Sequence, residues 1–175
     1  MPMKRALIWL GISAALSLGA FPATTAAAVG TNVARAGDFS VMQIATTEPD
    51  RLMANWEKPS AGVNVVSAST VHRNQPVVTF IVFTGCQADA SGACNVTADF
   101  DTFTPSGKLY NETRGAKVWV GHPAPPARAV QLSEGALGLR IENKDALGTY
   151  TIRATVTDHV SGATLKTSQA ILAQE

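Results

Sequence analysis

The chain has 175 residues, and its 14 basic and 13 acidic side chains give a formal net charge of +1 at pH 7. This near-neutral balance argues against binding to nucleic acid or to an anionic membrane, because both partners require clustered basic side chains. The length corresponds to one domain on the usual prior of roughly 100–200 residues, which is enough to bury a core.

Residues 1–28 have the three-part layout of a secretory signal peptide. Lys4 and Arg5 give a positive start, Ala6–Phe21 is apolar and uncharged, and Pro22–Ala28 is small, with an A-x-A cleavage pattern at its end. The apolar run is shorter than the ~20 residues of a membrane span, so we expect cleavage and no membrane span afterwards. Without the leader, 12 basic and 13 acidic side chains remain, for a net charge of −1. The sequence therefore predicts a periplasmic or secreted protein.

Residues 29–62 are predicted to form an irregular N-terminal segment. Ser40–Ala45 is predicted to be a short edge strand. Glu48–Trp56 is predicted to form one or two helical turns, since Pro49 suits a helix start and Pro59 prevents continuation.

The segment from residue 63 to residue 175 is rich in β-branched and aromatic runs that are bounded by turn-forming residues. These runs predict seven strands: Val63–Val71, Val77–Thr84, Asn95–Phe103, Ala116–Val120, Ala136–Ile141, Thr149–Thr157 and Ala163–Leu172. Thr149–Thr157 alternates apolar and polar residues, which indicates antiparallel strands with one wet face. Val77–Phe83 is almost continuously apolar and is predicted to be the most buried strand. Together the strands indicate an all-β, antiparallel β-sandwich.

Cys86 and Cys94 are separated by only seven small or polar residues, among which Ser91-Gly92 is a turn signal. In an oxidising compartment, such a pair is predicted to form a disulfide that closes a loop between two strands. The pair lacks the C-x-x-C spacing of a redox site, and no histidine lies nearby to complete a metal site.

Asp145, Gly148 and Tyr150 form the pattern Asp-x-x-Gly-x-Tyr at the start of the predicted penultimate strand. This pattern resembles the tyrosine corner of immunoglobulin-like domains, in which the tyrosine hydroxyl ties the strand to the preceding connection. The resemblance covers residues 63–175 and implies an exported, bacterial-type immunoglobulin-like sandwich. Ile152 stands where antibody-type domains have their second inter-sheet cysteine. The resemblance implies a fold and no particular activity.

Groups that could do chemistry are few. Asp99 and Asp101 lie two positions apart in one strand, so their carboxylates face the same side, and we interpret them as the wet face of that strand. Three histidines share no metal-ligand spacing: His72, His122 and His159. The sequence contains neither a G-x-S-x-G elbow nor a nucleotide-binding glycine pattern. No catalytic residue, cofactor or metal is predicted, although a hydrolytic or metal-binding enzyme using the two aspartates and a histidine stays an alternative.

Trp119 is flanked by Val118 and Val120, so strand alternation places either the tryptophan or the valines in the core. If the valines are buried, Trp119 is exposed beside Tyr110, and such an aromatic pair suits a sugar ring or a protein hot spot.

His122 and Pro125 lie in the proline-rich stretch Gly121–Ala127, which is predicted to be an extended, stiff connection between the sheets. The candidate contact site therefore comprises Tyr110, Trp119, His122 and Pro125. We interpret the chain as an exported, non-catalytic module that binds an unknown protein or glycan. A third reading is a structural subunit in which Val29–Ala45 donates a strand to a neighbouring copy.

Overall fold

The computed structural model describes residues 31–57, 67–127 and 129–175. The predicted leader, residues 1–28, lies outside the described residues, as do residues 63–66 of the first predicted strand. In chain order the elements are β1 (Val33–Ala36), β2 (Phe39–Thr46), α1 (Pro49–Glu57), β3 (Thr70–His72), β4 (Pro76–Thr84), β5 (Ala93–Phe103), β6 (Leu109–Pro123), β7 (Gln131–Leu132), β8 (Leu137–Arg140), β9 (Gly148–Asp158) and β10 (Thr164–Gln174). The strands form two five-stranded sheets, which confirms the predicted all-β sandwich.

Sheet A contains β1, β2, β4, β7 and β8, with antiparallel pairing throughout. The predicted edge strand at Ser40–Ala45 is present as β2, but it lies between β1 and β4 and is not an edge. Gly37, with a φ of 60°, lies in the turn that returns β1 alongside β2. Phe39 and Val41 of β2 are buried between the sheets. The sandwich therefore includes strands that precede residue 63, and the segment proposed for strand donation pairs within its own chain.

Sheet B has the strand order β3, β10, β9, β5, β6. In β9 the residues predicted to face inward are buried, and the intervening threonines and Arg153 are more accessible, as alternation requires. The predicted antiparallel arrangement has one exception, because β3 pairs with β10 in parallel. Within the described part of Val63–Val71, only Thr70 and Val71 are in strand conformation.

Strand β4 is buried on both faces, as its continuous apolar sequence predicts. Ile81 and Phe83 belong to the core between the sheets. Phe80 and Val82 are equally buried but point to the opposite face of sheet A, since successive side chains alternate. The predicted helix is present as α1, and its Leu52 is buried outside the inter-sheet core.

One side of the sandwich is bridged by the segment between β7 and β8. Both strands pair with β4, but the residues between them leave sheet A. The Glu134 amide donates to the carbonyl of Val118 at 3.2 Å, and the Gly135 amide donates to that of Lys117 at 2.7 Å, both in β6 of sheet B. A Cβ at Gly135 would lie 2.9 Å from the Lys117 carbonyl oxygen, so this approach requires glycine.

The other side of the sandwich is bridged by Gln43 of β2, which is fully buried. Its side-chain amide donates to the Ile152 carbonyl at 3.2 Å and its side-chain oxygen accepts from the Thr167 hydroxyl at 2.9 Å. Next to these two hydrogen bonds, the Ser168 amide donates to the carbonyl of Thr31 at 2.9 Å. Buried polar groups are costly unless they are paired, so Gln43 fixes the position of sheet A over sheet B.

Strand β6 is three times as long as the predicted strand Ala116–Val120 and includes Tyr110 and His122. Its pairing with β5 contains several register shifts, and Gly115 and Gly121 adopt positive φ values of 64° and 75° within it. These irregularities interrupt the alternation by which strands are recognised in a sequence. The predicted connection Gly121–Ala127 accordingly begins as the end of this strand.

Candidate functional site

Tyr110 lies at the beginning of β6, and its side chain is hydrogen-bonded to other residues of the same chain. Its hydroxyl donates to Asp145 Oδ2 at 2.7 Å, and the Arg140 carbonyl lies 3.2 Å away. Its ring packs edge-on against Tyr150, with the centroids 5.4 Å apart and the planes at 79°. Burial and the hydrogen bond to Asp145 hold the pKa of Tyr110 well above its ordinary value. Tyr110 therefore ties β6 to the loop that precedes β9.

The residues of the predicted tyrosine corner converge on the same loop. The Tyr150 hydroxyl donates to the Ala146 carbonyl at 2.8 Å, which is the backbone tie that the pattern implies. Asp145 accepts from Tyr110 and from the Glu142 amide, and these hydrogen bonds lower the pKa of its carboxyl. Gly148 has a φ of 126°, in the region that favours glycine.

Trp119 and Val118 both contact the core, so the expected choice between the tryptophan and the valines is wrong. In the β5–β6 ladder Val96 pairs with Trp119 and Thr97 pairs with Lys117, which leaves Val118 as an extra residue in a bulge. Val118 is 1% exposed, whereas Trp119 is half-buried with its ring centroid 5.7 Å from that of Phe83. Trp119 therefore has one side against the core and one side at the surface.

His122 lies beside the accessible part of Trp119, with ring centroids 5.2 Å apart. Trp119 Nε1 donates to the Pro123 carbonyl at 3.0 Å, which closes the end of β6 around the indole. His122 Nε2 lies 2.5 Å from Glu134 Oε1, and the His122 side chain is 51% exposed. We call this group the Trp119 patch: Trp119, His122, Pro123 and Glu134. Glu134 was not singled out from the sequence, because only the crossing segment between β7 and β8 brings it to β6.

Pro125 lies next to the Trp119 patch along the chain, whereas Tyr110 lies far from it. Pro125 is half-buried two residues after Pro123, so it lies on the connection that leaves the patch. Tyr110 is nine positions before Trp119 in the same strand, and at roughly 3.3 Å per residue the two lie towards opposite ends of β6. The structure thus brings Trp119 and His122 together and separates both from Tyr110.

Asp99 and Asp101 both lie on the outer face of β5, where each is engaged with β6. Asp99 Oδ1 accepts from the Gly115 amide at 2.8 Å, and Asp101 Oδ1 accepts from Arg114 Nη2 at 2.5 Å. Arg114 also pairs with Glu112 at 3.0 Å, and the hydrogen bond to Asp101 raises the pKa of its guanidinium. Both carboxylates stabilise the irregular β5–β6 pairing.

The three histidines lie apart and have separate partners. His72 Nδ1 contacts the Glu175 carbonyl, His122 contacts Glu134, and His159 Nε2 is 2.8 Å from the Thr97 hydroxyl. Within residues 31–57, 67–127 and 129–175, no group of three or more His, Cys, Asp or Glu side chains is arranged to hold a metal ion.

The predicted disulfide between Cys86 and Cys94 is present. Cys86 follows β4 in sheet A and Cys94 lies at the start of β5 in sheet B, so the bridge closes the crossover between the two sheets. Inside the loop, Asp89 accepts from the Ser91 hydroxyl at 2.6 Å and from two backbone amides, and these bonds lower the pKa of its carboxyl.

The outer face of sheet B also carries a polar groove that sequence reasoning missed. We call it the sheet B groove; its principal lining residues are Thr31, Asp101, Arg153, Thr155, Lys166 and Ser168. Alternation in β9 placed Arg153 and Thr155 on the wet face, but a single sequence does not give the register that brings Lys166 and Asp101 beside them.

Comparisons with known proteins give only distant likenesses. No family model matches the chain, and no curated protein matches it in sequence. Among solved structures, it is similar to a Niemann-Pick type C2 protein from the Japanese carpenter ant, with 9% identity and a TM-score of 0.41 over 86% of this chain and 96% of that chain.

A second similar structure is a family 123 glycoside hydrolase from Clostridium perfringens, with 14% identity and a TM-score of 0.39 over 77% of this chain. The match spans 27% of that enzyme's chain. At these identities and TM-scores neither likeness carries an argument about function. None of the helices in the described part of the chain is long and apolar enough to cross a membrane.

Proposed function

We propose that the chain is an exported, non-catalytic β-sandwich module that binds a protein partner through the Trp119 patch. The observation that carries this proposal is the accessible contact between the tilted rings of Trp119 and His122 beside Glu134. Interface hot spots are enriched in aromatic residues that are partly buried in their own protein and surrounded by polar groups. The patch offers this combination at one end of a strand.

The indole is also held rigidly, which favours tight binding. Its ring packs on Phe83, and its Nε1 is already bonded to the Pro123 carbonyl. A contact residue that is fixed before binding loses little side-chain entropy when the partner arrives. One side of the ring packs on Phe83, so the indole offers its other side to a partner.

The export part of the proposal is supported by the signal-peptide layout of residues 1–28 and by the Cys86–Cys94 disulfide. Disulfides persist in oxidising compartments and are rare in the cytosol. Cell fractionation followed by mass spectrometry of the purified protein tests this part. We expect a mature N-terminus at Val29 in the periplasm or the medium, and an intact Met1 in the cytosol would contradict it.

Site-specific photo-crosslinking tests the contact site. A benzophenone amino acid in place of His122 should give a discrete crosslinked product in the exporting cell, and the same group in place of the exposed Lys144 should not. The protein identified in that product is then purified and titrated with the unmodified chain. We expect His122→Ala and Glu134→Gln each to weaken its binding at least tenfold, whereas Lys144→Ala leaves it unchanged.

Two results would contradict the proposed site. One is a partner whose affinity is the same for the unmodified chain and for His122→Ala. The other is a crosslinked product that forms equally well from position 144. His122→Ala and Lys144→Ala alter exposed side chains, so both should melt at the temperature of the unmodified chain. Measuring melting temperatures beside the titrations separates a lost contact from a lost fold.

A further inference from the structure

The sheet B groove lies across three neighbouring strands, β5, β9 and β10. Arg153 of β9 is opposite Asp101 of β5 and Ser168 of β10, and Thr155 is opposite Lys166. The groove is open to solvent and has a volume of about 350 Å³, at the lower end of the range of small-molecule sites. Its position is set by strand register, so the polar groups that line it are held on a rigid scaffold.

Arg153 is positioned by an aromatic ring and keeps its hydrogen-bond donors available. Its guanidinium carbon lies 4.6 Å from the centroid of Phe103, in a cation–π contact on the outer face of the sheet. Within the part of the chain that the structure describes, the Arg153 side chain makes no hydrogen bond or ion pair. An oriented guanidinium with free donors matches the two oxygens of a carboxylate.

The charges around Arg153 favour an anionic ligand group. Lys166 is exposed and, among the described residues, has no carboxylate partner either. Asp101 also lines the groove, but its charge is compensated by Arg114 at 2.5 Å. Among the described residues, two cations without a carboxylate partner therefore line the same groove on a chain whose overall charge is close to zero.

The remaining lining groups favour a ligand with hydroxyls. Thr155, Ser168 and Thr31 supply side-chain hydroxyls that both donate and accept, and Asp101 is an additional acceptor. An acidic sugar matches these groups better than inorganic phosphate, because it brings several hydroxyls together with its carboxylate. We infer that the sheet B groove binds an acidic sugar, whose carboxylate contacts Arg153 and Lys166 and whose hydroxyls contact Asp101, Thr155 and Ser168.

This site is independent of the proposed function. The groove lies on the outer face of β9 and β10, whereas Trp119 packs towards Phe83 between the sheets. A failure of acidic sugars to bind leaves the His122 crosslinking experiment unaffected, and the reverse also holds.

Calorimetric titration of the purified protein tests the inference. The probes are D-glucuronate, D-galacturonate and N-acetylneuraminate, with methyl glucoside as a neutral sugar and inorganic phosphate as an anion without a sugar. We expect saturable binding of at least one acidic sugar, with methyl glucoside and phosphate binding at least tenfold more weakly. Arg153→Gln should weaken binding of that sugar at least tenfold, and Arg153→Lys should also weaken it because the two-pronged contact is lost.

Arg35→Gln is the matched control, since Arg35 is an exposed arginine on β1 of sheet A. It should bind like the unmodified protein, and both Arg153 variants should melt normally, because the side chain is exposed. The inference is overturned if none of the three acidic sugars binds saturably. It is also overturned if phosphate binds as well as they do, or if Arg153→Gln and Arg35→Gln have equal affinity.

Discussion

Sheet A is buried on two faces at its centre, whereas sheet B is buried on one. In β4 of sheet A, Phe80 and Ile81 are adjacent in sequence, point in opposite directions and are both at most 4% exposed. In β9 of sheet B, Ile152 is fully buried and its neighbour Arg153 is exposed. The centre of sheet A therefore has little accessible surface, whereas the outer face of sheet B is accessible and carries the groove that we propose as a ligand site.

The largest loss of stability is predicted at Phe80, which is buried on the second face of sheet A, the face that points away from sheet B. Phe80→Ala should lower the free energy of unfolding by about 3–5 kcal/mol, because it leaves a cavity in a buried layer. Urea denaturation measures this change. A loss below about 1 kcal/mol would mean that the second face of sheet A is open and that the two sheets do not differ.

The next effect concerns the crossover that joins the sheets. Replacing both Cys86 and Cys94 by serine should cost about 2.5 kcal/mol, the chain-entropy value for a loop of this length. Guanidinium denaturation of the variant under oxidising conditions gives the value. The unmodified chain with its disulfide reduced is the matched control and should show the same loss.

Loss of the Gln43 hydrogen bonds between the sheets is predicted to lower the free energy of unfolding somewhat less. Gln43→Leu should cost about 2 kcal/mol, because it leaves the Thr167 hydroxyl buried without a partner and removes the side-chain hydrogen bond to the Ile152 carbonyl. Adding Thr167→Val should recover part of the loss, since it removes one unpaired group. If Gln43→Leu is as stable as the unmodified chain in urea denaturation, the Gln43 hydrogen bonds do not stabilise the packing of the two sheets.

The loop before β9 predicts a pH-dependent effect. Asp145→Asn should cost about 1 kcal/mol at pH 7, where the ionised carboxylate accepts from Tyr110. The folded-state pKa of Asp145 lies below the ordinary aspartate value of 3.8, so its stabilising contribution is present above pH 3.8 and is lost as the pH falls further.

Urea denaturation at pH 7 and at about pH 2.5 checks this sign. The difference between Asp145→Asn and the unmodified chain should shrink at the lower pH. With Tyr110→Phe as the background, the loss at pH 7 should be smaller, because the main donor to the carboxylate is absent. A loss that is equal at both pH values would contradict the assignment.

The smallest effect is expected on the outer face of sheet B. Thr155→Val should change the free energy of unfolding by no more than about 0.5 kcal/mol, because its side chain is partly accessible and has no hydrogen bond in the described part of the chain. Thermal denaturation of Thr155→Val and Phe80→Ala under the same conditions compares the two sheets directly. A large loss at Thr155 would show that the outer face is covered.

Much of this difference between the sheets is predictable from the sequence. The alternation in Thr149–Thr157 and the continuous apolar run in Val77–Phe83 predict one wet face for β9 and two buried faces for β4. The Cys86–Cys94 spacing predicts the bridge, and the pattern around Tyr150 predicts its hydrogen bond to the preceding loop.

The candidate site is less predictable, because it depends on register and on bulges. The bulge at Val118 brings that residue and Trp119 to the core together, which strict alternation does not allow. Tyr110 bonds to Asp145, 35 residues away, and no local pattern marks such a pair. Likewise, strand alternation alone does not show that Arg153 stacks on Phe103. These contacts are set by how strands from distant parts of the chain align.

The irregular pairing of β6 has a consequence for how the protein avoids aggregation. β6 is the last strand of sheet B and is 15 residues long, and an edge strand of this length would be a template for pairing with other chains if it were flat. Its register shifts bend it, and exposed charges interrupt it at Glu112, Arg114 and Lys117. Bulges and charges are two of the devices by which natural sheets discourage fibril-like stacking. The irregular pairing that obscures β6 in the sequence therefore also makes this strand a poorer template for pairing with other chains.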